Sequence, residues 1–160
     1  MRSLQASLVA LTLAAGAACA TEAWARDIPA GGLTVDEAAD WVRGAGLPAE
    51  IATTDKGDRY IKSVQSGASF ELDFYDCGKD GRCGSLQFQT SFQRPGGFSI
   101  DKINQWNGEQ RYASAFLDGQ HSAFLHYDVS LAPGRTYEGL TDDFAVWRND
   151  VVRFRTFMAN

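Results

Sequence analysis

Two periods of apolar residues run through this chain, and together they outline most of its elements. Near the C-terminus Leu140, Phe144, Trp147, Val151, Phe154 and Met158 recur at spacings of 4, 3, 4, 3 and 4. That is the stripe of an amphipathic helix seated on a core. Glu138, Asp142 and Asp143 at its start and Arg148, Arg153 and Arg155 towards its end complement the helix dipole. An earlier helix is announced by Thr34-Val35-Asp36-Glu37, a capping box, followed by Val35, Ala38, Ala39, Val42 and Ala45 on one face. Gly44, Gly46 and Pro48 end it. A middle helix begins at Ser99 as N-cap, with Phe98 and Ile103 as a hydrophobic staple, and carries Ile100, Ile103 and Trp106 to a stop at Asn107-Gly108.

The period of two appears elsewhere. Phe70 to Tyr75 and Ser85 to Phe92 alternate as strands around a loop whose turn signal is Asp80-Gly81. In the second of these, Leu86, Phe88 and Phe92 face one way and Gln87, Gln89 and Ser91 the other, as in an antiparallel sheet with one wet face. Short strands are expected at Glu50 to Thr54 and Arg59 to Val64, and a second hairpin at Arg111 to Leu117 and Ser122 to Leu131 around Asp118-Gly119-Gln120. The order is α-β-β-β(-β)-α-β-β-α, an α+β class with an antiparallel sheet and helices packed on it.

The first residues read differently. Arg2 precedes an apolar stretch from Leu4 to Ala18, followed by the small-x-small sites Ala18-Cys19-Ala20 and Ala23-Trp24-Ala25. Residues 1–25 are expected to be a signal peptide cleaved after Ala25, since Arg26-Asp27 then opens a polar chain. The stretch is shorter than the roughly 20 apolar residues of a membrane span. Lipoprotein processing at Cys19 is a third reading, weakened because Gly16-Ala17-Ala18 lacks a leucine three positions upstream of the cysteine. The short leader with one arginine suggests a bacterial periplasm. Residues 26–32 then form a leader into a single domain at 33–160.

Composition adds exclusions. Of 160 residues, 44% are hydrophobic and 22% charged, as in ordinary globular proteins. The net charge of −5 opposes phosphate backbones and anionic headgroups, so neither nucleic acid nor a membrane surface is the expected partner.

Removing the leader leaves Cys77 and Cys83, which an oxidising compartment would join as a disulfide across the hairpin loop. The chain-entropy model gives such a short loop about 2 kcal/mol. Cys-x5-Cys without a nearby histidine is off the usual zinc spacing. Asp76-x-Gly78-x-Asp80-Gly81 echoes a calcium loop, but its third position is Gly78 and not an acid, and Gln87 stands where a bidentate glutamate belongs. The loop reads as turn chemistry.

Three further segments complete the picture: Cys77-x5-Cys83-x-Ser85-Leu86-Gln87-Phe88, Ile103-Asn104-Gln105-Trp106-Asn107, and Arg111-Tyr112-Ala113-Ser114-Ala115-Phe116-Leu117-Asp118. With Phe144 and Trp147 on the last helix, they resemble the YbjN family of bacterial proteins over roughly residues 32 to 158. The resemblance implies a fold similar to class I type III secretion chaperones and a sensory-transduction regulatory role. It brings no catalytic residues with it. The leader sets this chain apart from cytosolic members and moves the expected role to the envelope. By a residue-level reading, Asn104 and Asn107 cap the helix end while Trp106 packs.

No catalytic, cofactor-binding or metal-binding residues are expected. Gly-x-Ser-x-Gly and Walker-type glycine loops are absent. The expected role is an exported, non-enzymatic protein-binding or regulatory module whose partner is another protein or a second copy as a homodimer. The alternative is a small periplasmic hydrolase or metal-dependent enzyme built on His121 and His126 with Asp118 or Asp128.

Overall fold

The structure is a computed structural model that describes residues 26–65, 67–131 and 133–159. The expected signal peptide, its cleavage at Ala25 and the Cys19 alternative lie outside the described residues. Helices α1 (Val35–Gly44), α2 (Ile100–Glu109) and α3 (Tyr137–Ala159) accompany strands β1 (Glu50–Thr53), β2 (Arg59–Gln65), β3 (Ala68–Cys77), β4 (Cys83–Phe92), β5 (Ser114–Leu117) and β6 (Ala123–Ser130). The strands form one antiparallel sheet in the order β1-β2-β3-β4-β6-β5. This is the α+β class and element order that the two periods imply.

The capping box is present in both directions. Thr34 Oγ1 accepts from the Glu37 amide at 3.2 Å, and Glu37 Oε2 accepts from the Thr34 amide at 3.0 Å. Ser99 likewise accepts from the Lys102 amide at the start of α2. Alternation sends Ile61, Leu72, Phe88 and Tyr127, partners in consecutive pairs across β2, β3, β4 and β6, into the core. Phe88 lies at its centre, its ring 5.4 Å from Phe144, 5.8 Å from Trp147 and 6.4 Å from Trp41. Trp106 brings α2 onto Phe154 of α3, with ring centroids 4.8 Å apart. All three helices therefore cover the same face of the sheet. Two buried hydroxyls on that face are satisfied by backbone carbonyls, Ser63 by Pro48 and Thr90 by Ser69, each at 2.7 Å.

Some boundaries correct the sequence expectation. β3 and β4 run on to the cysteines, so the hairpin loop is only Gly78–Arg82, closed by Gly78 N donating to Arg82 O at 2.7 Å. Helix α2 does not stop at Asn107-Gly108. It continues to Glu109, and the Gln110 amide still reaches Trp106 O. Strand β5 begins at Ser114, because Arg111 and Tyr112 form a bend.

The stretch before α1 is woven into the domain. Ile28 N donates to Arg135 O, Tyr137 N donates to Arg26 O, and Leu33 exchanges two backbone hydrogen bonds with Cys83. Gly32 must be glycine there: φ is +87°, and a Cβ would fall 1.9 Å from Cys83 O. Among the described residues no helix is long and apolar enough to cross a membrane.

Candidate functional site: the uncovered sheet face

Among the described residues the helices leave the other side of the sheet bare, and its composition follows from strand parity. One row of paired residues crosses all six strands: Glu50, Lys62, Glu71, Gln89, His126 and Ser114. A neighbouring row places Asp73 beside Gln87 and Gln87 beside Asp128, whose carboxylate accepts from Gln87 Nε2 at 2.7 Å. Cross-strand neighbours of this kind are the units in which a sheet face acts.

Aromatic rings stand at both sides of these rows. Phe116 of edge strand β5 stacks on its partner Phe124, with centroids 5.1 Å apart and planes 13° from parallel. The His126 ring meets Phe116 edge-on at 4.7 Å. Towards the other side, Tyr75 is 47% exposed and Lys62 Nζ lies 5.4 Å from the centre of the Tyr60 ring. Phe116 is 42% exposed, so the face offers an exposed ring as well as charge.

Crowding perturbs the groups on this face. Burial, with Glu71 adding to it, raises the Asp73 carboxyl above the usual carboxylate value. Burial raises the Tyr75 phenol, and Asp73 and Asp128 push it further. Burial holds the His126 imidazole below its ordinary value although Asp128 pulls the other way. Its Nε2 meets Gln89 Oε1 at 2.5 Å, so a neutral ring tautomer donating to the amide satisfies both groups.

The residues singled out for chemistry go to separate places. His121 sits in the β5–β6 turn at φ 61°, exposed, with Nδ1 3.3 Å from Phe98 O. Asp118 staples that turn, its Oδ1 accepting from the Gln120 and Ser122 amides at 2.8 Å. His126 and Asp128 share the open face but bond to Gln89 and Gln87. No hydrogen bond joins the side chain of either histidine to Asp118 or Asp128 among the described residues. No group of three or more His, Cys, Asp or Glu residues is placed to hold a metal ion among them.

Cys77 and Cys83 are paired across β3 and β4, with their sulfurs 2.16 Å apart. Beside them Arg82 makes two hydrogen bonds to the Glu37 carboxylate at 2.8 and 2.9 Å and a third to Gly32 O. The hairpin tip is thereby tied to the start of α1.

Trp106 and Asn107 are structural, Asn107 not as a helix cap but as a partner of β5. Trp106 Nε1 donates to Ala113 O at 3.1 Å. Asn107 Nδ2 donates to Ala115 O at 2.9 Å, and its Oδ1 accepts from Ala115 N at 2.8 Å. One side-chain amide thus occupies the hydrogen-bonding positions that a further strand would take beside β5. Residues 34–159 match a family model, YbjN, described as "Putative bacterial sensory transduction regulator". The chain belongs to the YbjN family. A search of curated proteins finds no match. That description is of a regulator and names no enzymatic activity, and in this YbjN chain Trp106 and Asn107 serve to pin α2 on the sheet edge.

The alternation in β4 places Gln87, Gln89 and Ser91 away from the core. It does not bring Phe116, Glu71 and Asp73 to them. Parity along each strand was available, but the juxtaposition also needs the order in which strands pair.

Proposed function

We propose that this YbjN chain is an exported, non-enzymatic regulatory module of the bacterial envelope that holds a polypeptide partner on its uncovered sheet face. The observation that carries the reading is a six-stranded sheet that, among the described residues, has helices on one side only. Its open side combines exposed rings at Phe116 and Tyr75 with a charged row. Export is supported by the leader pattern of residues 1–25 and by two cysteines paired within bonding distance in a two-strand register. The family description supplies the regulatory half of the reading.

A photo-crosslinking side chain at Tyr75 or Phe116, compared with one at Asp142 on the helical layer, tests it in living cells. Discrete adducts from the sheet positions and none from Asp142 are expected, in a periplasmic fraction whose mature mass begins at Arg26 with the disulfide closed. Adducts confined to Asp142, or a full-length product in the cytoplasm, would refute it.

A further inference from the structure

The uncovered face is not flat. A hollow of about 120 Å³ opens between β3, β4 and β6, lined by Ser69, Glu71, Gln89, Ser91 and Phe124. Ser69 and Ser91 are exposed there, Glu71, Gln89 and the Phe124 ring are half-buried, and the buried residues Phe70 and Thr90 complete the lining. The hollow has room for one side chain, and a basic residue can lay its apolar stem on Phe124 while its charged head meets the carboxylate.

Glu71 is the informative group. Lys62 is its cross-strand partner, which ordinarily gives an ion pair. Here the Lys62 ammonium lies by the Tyr60 ring and phenol, and from there it attracts Glu50 and Glu71 without contacting either. Among the described residues Glu71 has no ion pair. Around it the paired rows carry Glu50, Asp73 and Asp128 against the ammonium of Lys62 and the half-buried imidazole of His126, so the local field is more negative than one carboxylate would make it.

We infer that this hollow is a socket for a lysine or arginine side chain of the bound polypeptide, its stem against Phe124 and its charged head on Glu71. This rests on the reading of the sheet face as a docking surface and adds the chemistry of the partner: an extended segment carrying basic residues. Asp73 and Asp128, in the next row of the sheet, receive further basic residues of the same segment, and the Phe116–Phe124 stack receives its apolar positions.

The test uses protein purified from cells expressing the full chain, titrated with a short peptide of alternating lysine and threonine and followed by amide-resolved NMR. Counterparts with glutamine or glutamate in place of lysine are run alongside. The lysine peptide is expected to shift the amides of Ser69, Glu71, Gln89, Ser91 and Phe124. Glu71→Gln should weaken it about fivefold, the scale of one exposed ion pair. Glu138→Gln, the same charge change in the exposed first turn of α3, should leave it unchanged.

Equal weakening by both variants would mean diffuse attraction to an acidic protein and overturn the socket. So would shifts centred elsewhere, or none at millimolar peptide. A glutamine peptide binding the same face equally well overturns the socket while the docking face stands. The crosslinking result judges that face independently.

Discussion

Asn107 offers the sharpest test of the architecture, because two readings of it predict opposite outcomes. As a cap at the end of α2 it would adopt a left-handed conformation, and glycine there would be neutral or stabilising. The structure instead keeps residue 107 inside a helix that runs to Glu109 and spends its amide on Ala115 N and O at 2.8 and 2.9 Å. Each such bond is worth about 0.5–1.5 kcal/mol net. Alanine at a helical position returns about 0.5 kcal/mol of propensity relative to asparagine. Asn107→Ala is therefore expected to cost about 1–2 kcal/mol, and Asn107→Gly about 1 kcal/mol more than alanine. Urea unfolding read by the buried tryptophans Trp41, Trp106 and Trp147 measures both. Hydrogen exchange at the Ala115 amide should accelerate in each variant. Glycine proving as stable as alanine, with Ala115 exchange unchanged, would refute the edge-pairing role.

Other perturbations probe separate parts of the structure. Asp150 on α3 is 3% exposed and its Oδ2 has no partner; burial raises its carboxyl above the ordinary value, with Arg153 and the Ala113 amide opposing. A raised folded value favours the protonated form, so that stabilisation is full below the unfolded value and lost as pH rises through the folded one. Asp150→Asn should accordingly be at least as stable as the parent at neutral pH and flatten the stability profile over that rise; a large loss at neutral pH would contradict it. Glu37 runs the other way, because Arg82 holds its carboxyl below the ordinary 4.5. Glu37→Gln should cost about 0.5–1 kcal/mol at neutral pH, a figure discounted for partial exposure. That difference should vanish as pH falls below 4.5 through the depressed folded value, as acid unfolding of the two proteins would show. Replacing Cys77 and Cys83 together by alanine should lower stability by about 2 kcal/mol on the chain-entropy model, measured as a shift in urea midpoint. An unshifted midpoint would show that the bridge is not closed in the protein as purified.

Local chemistry alone accounted for much of this protein. Thr34 and Glu37 start a helix through bonds made within four residues. Asp80-Gly81 turns a hairpin, and the spacing from Leu140 to Met158 buries one side of α3. These signals read directly because each depends on a period or a turn that neighbouring residues determine among themselves. What depended on distant pairing could not be read that way. Asn107 looks like a cap until β5 lies alongside it, and Asp150 looks like any helical aspartate until the Ala113 amide comes to lie against it. The row from Glu50 to Ser114, with the hollow at Glu71 beside it, exists only because β6 inserts between β4 and β5. Alternation says which face a residue takes. Only the packed sheet decides which residues of other strands share that face beside it.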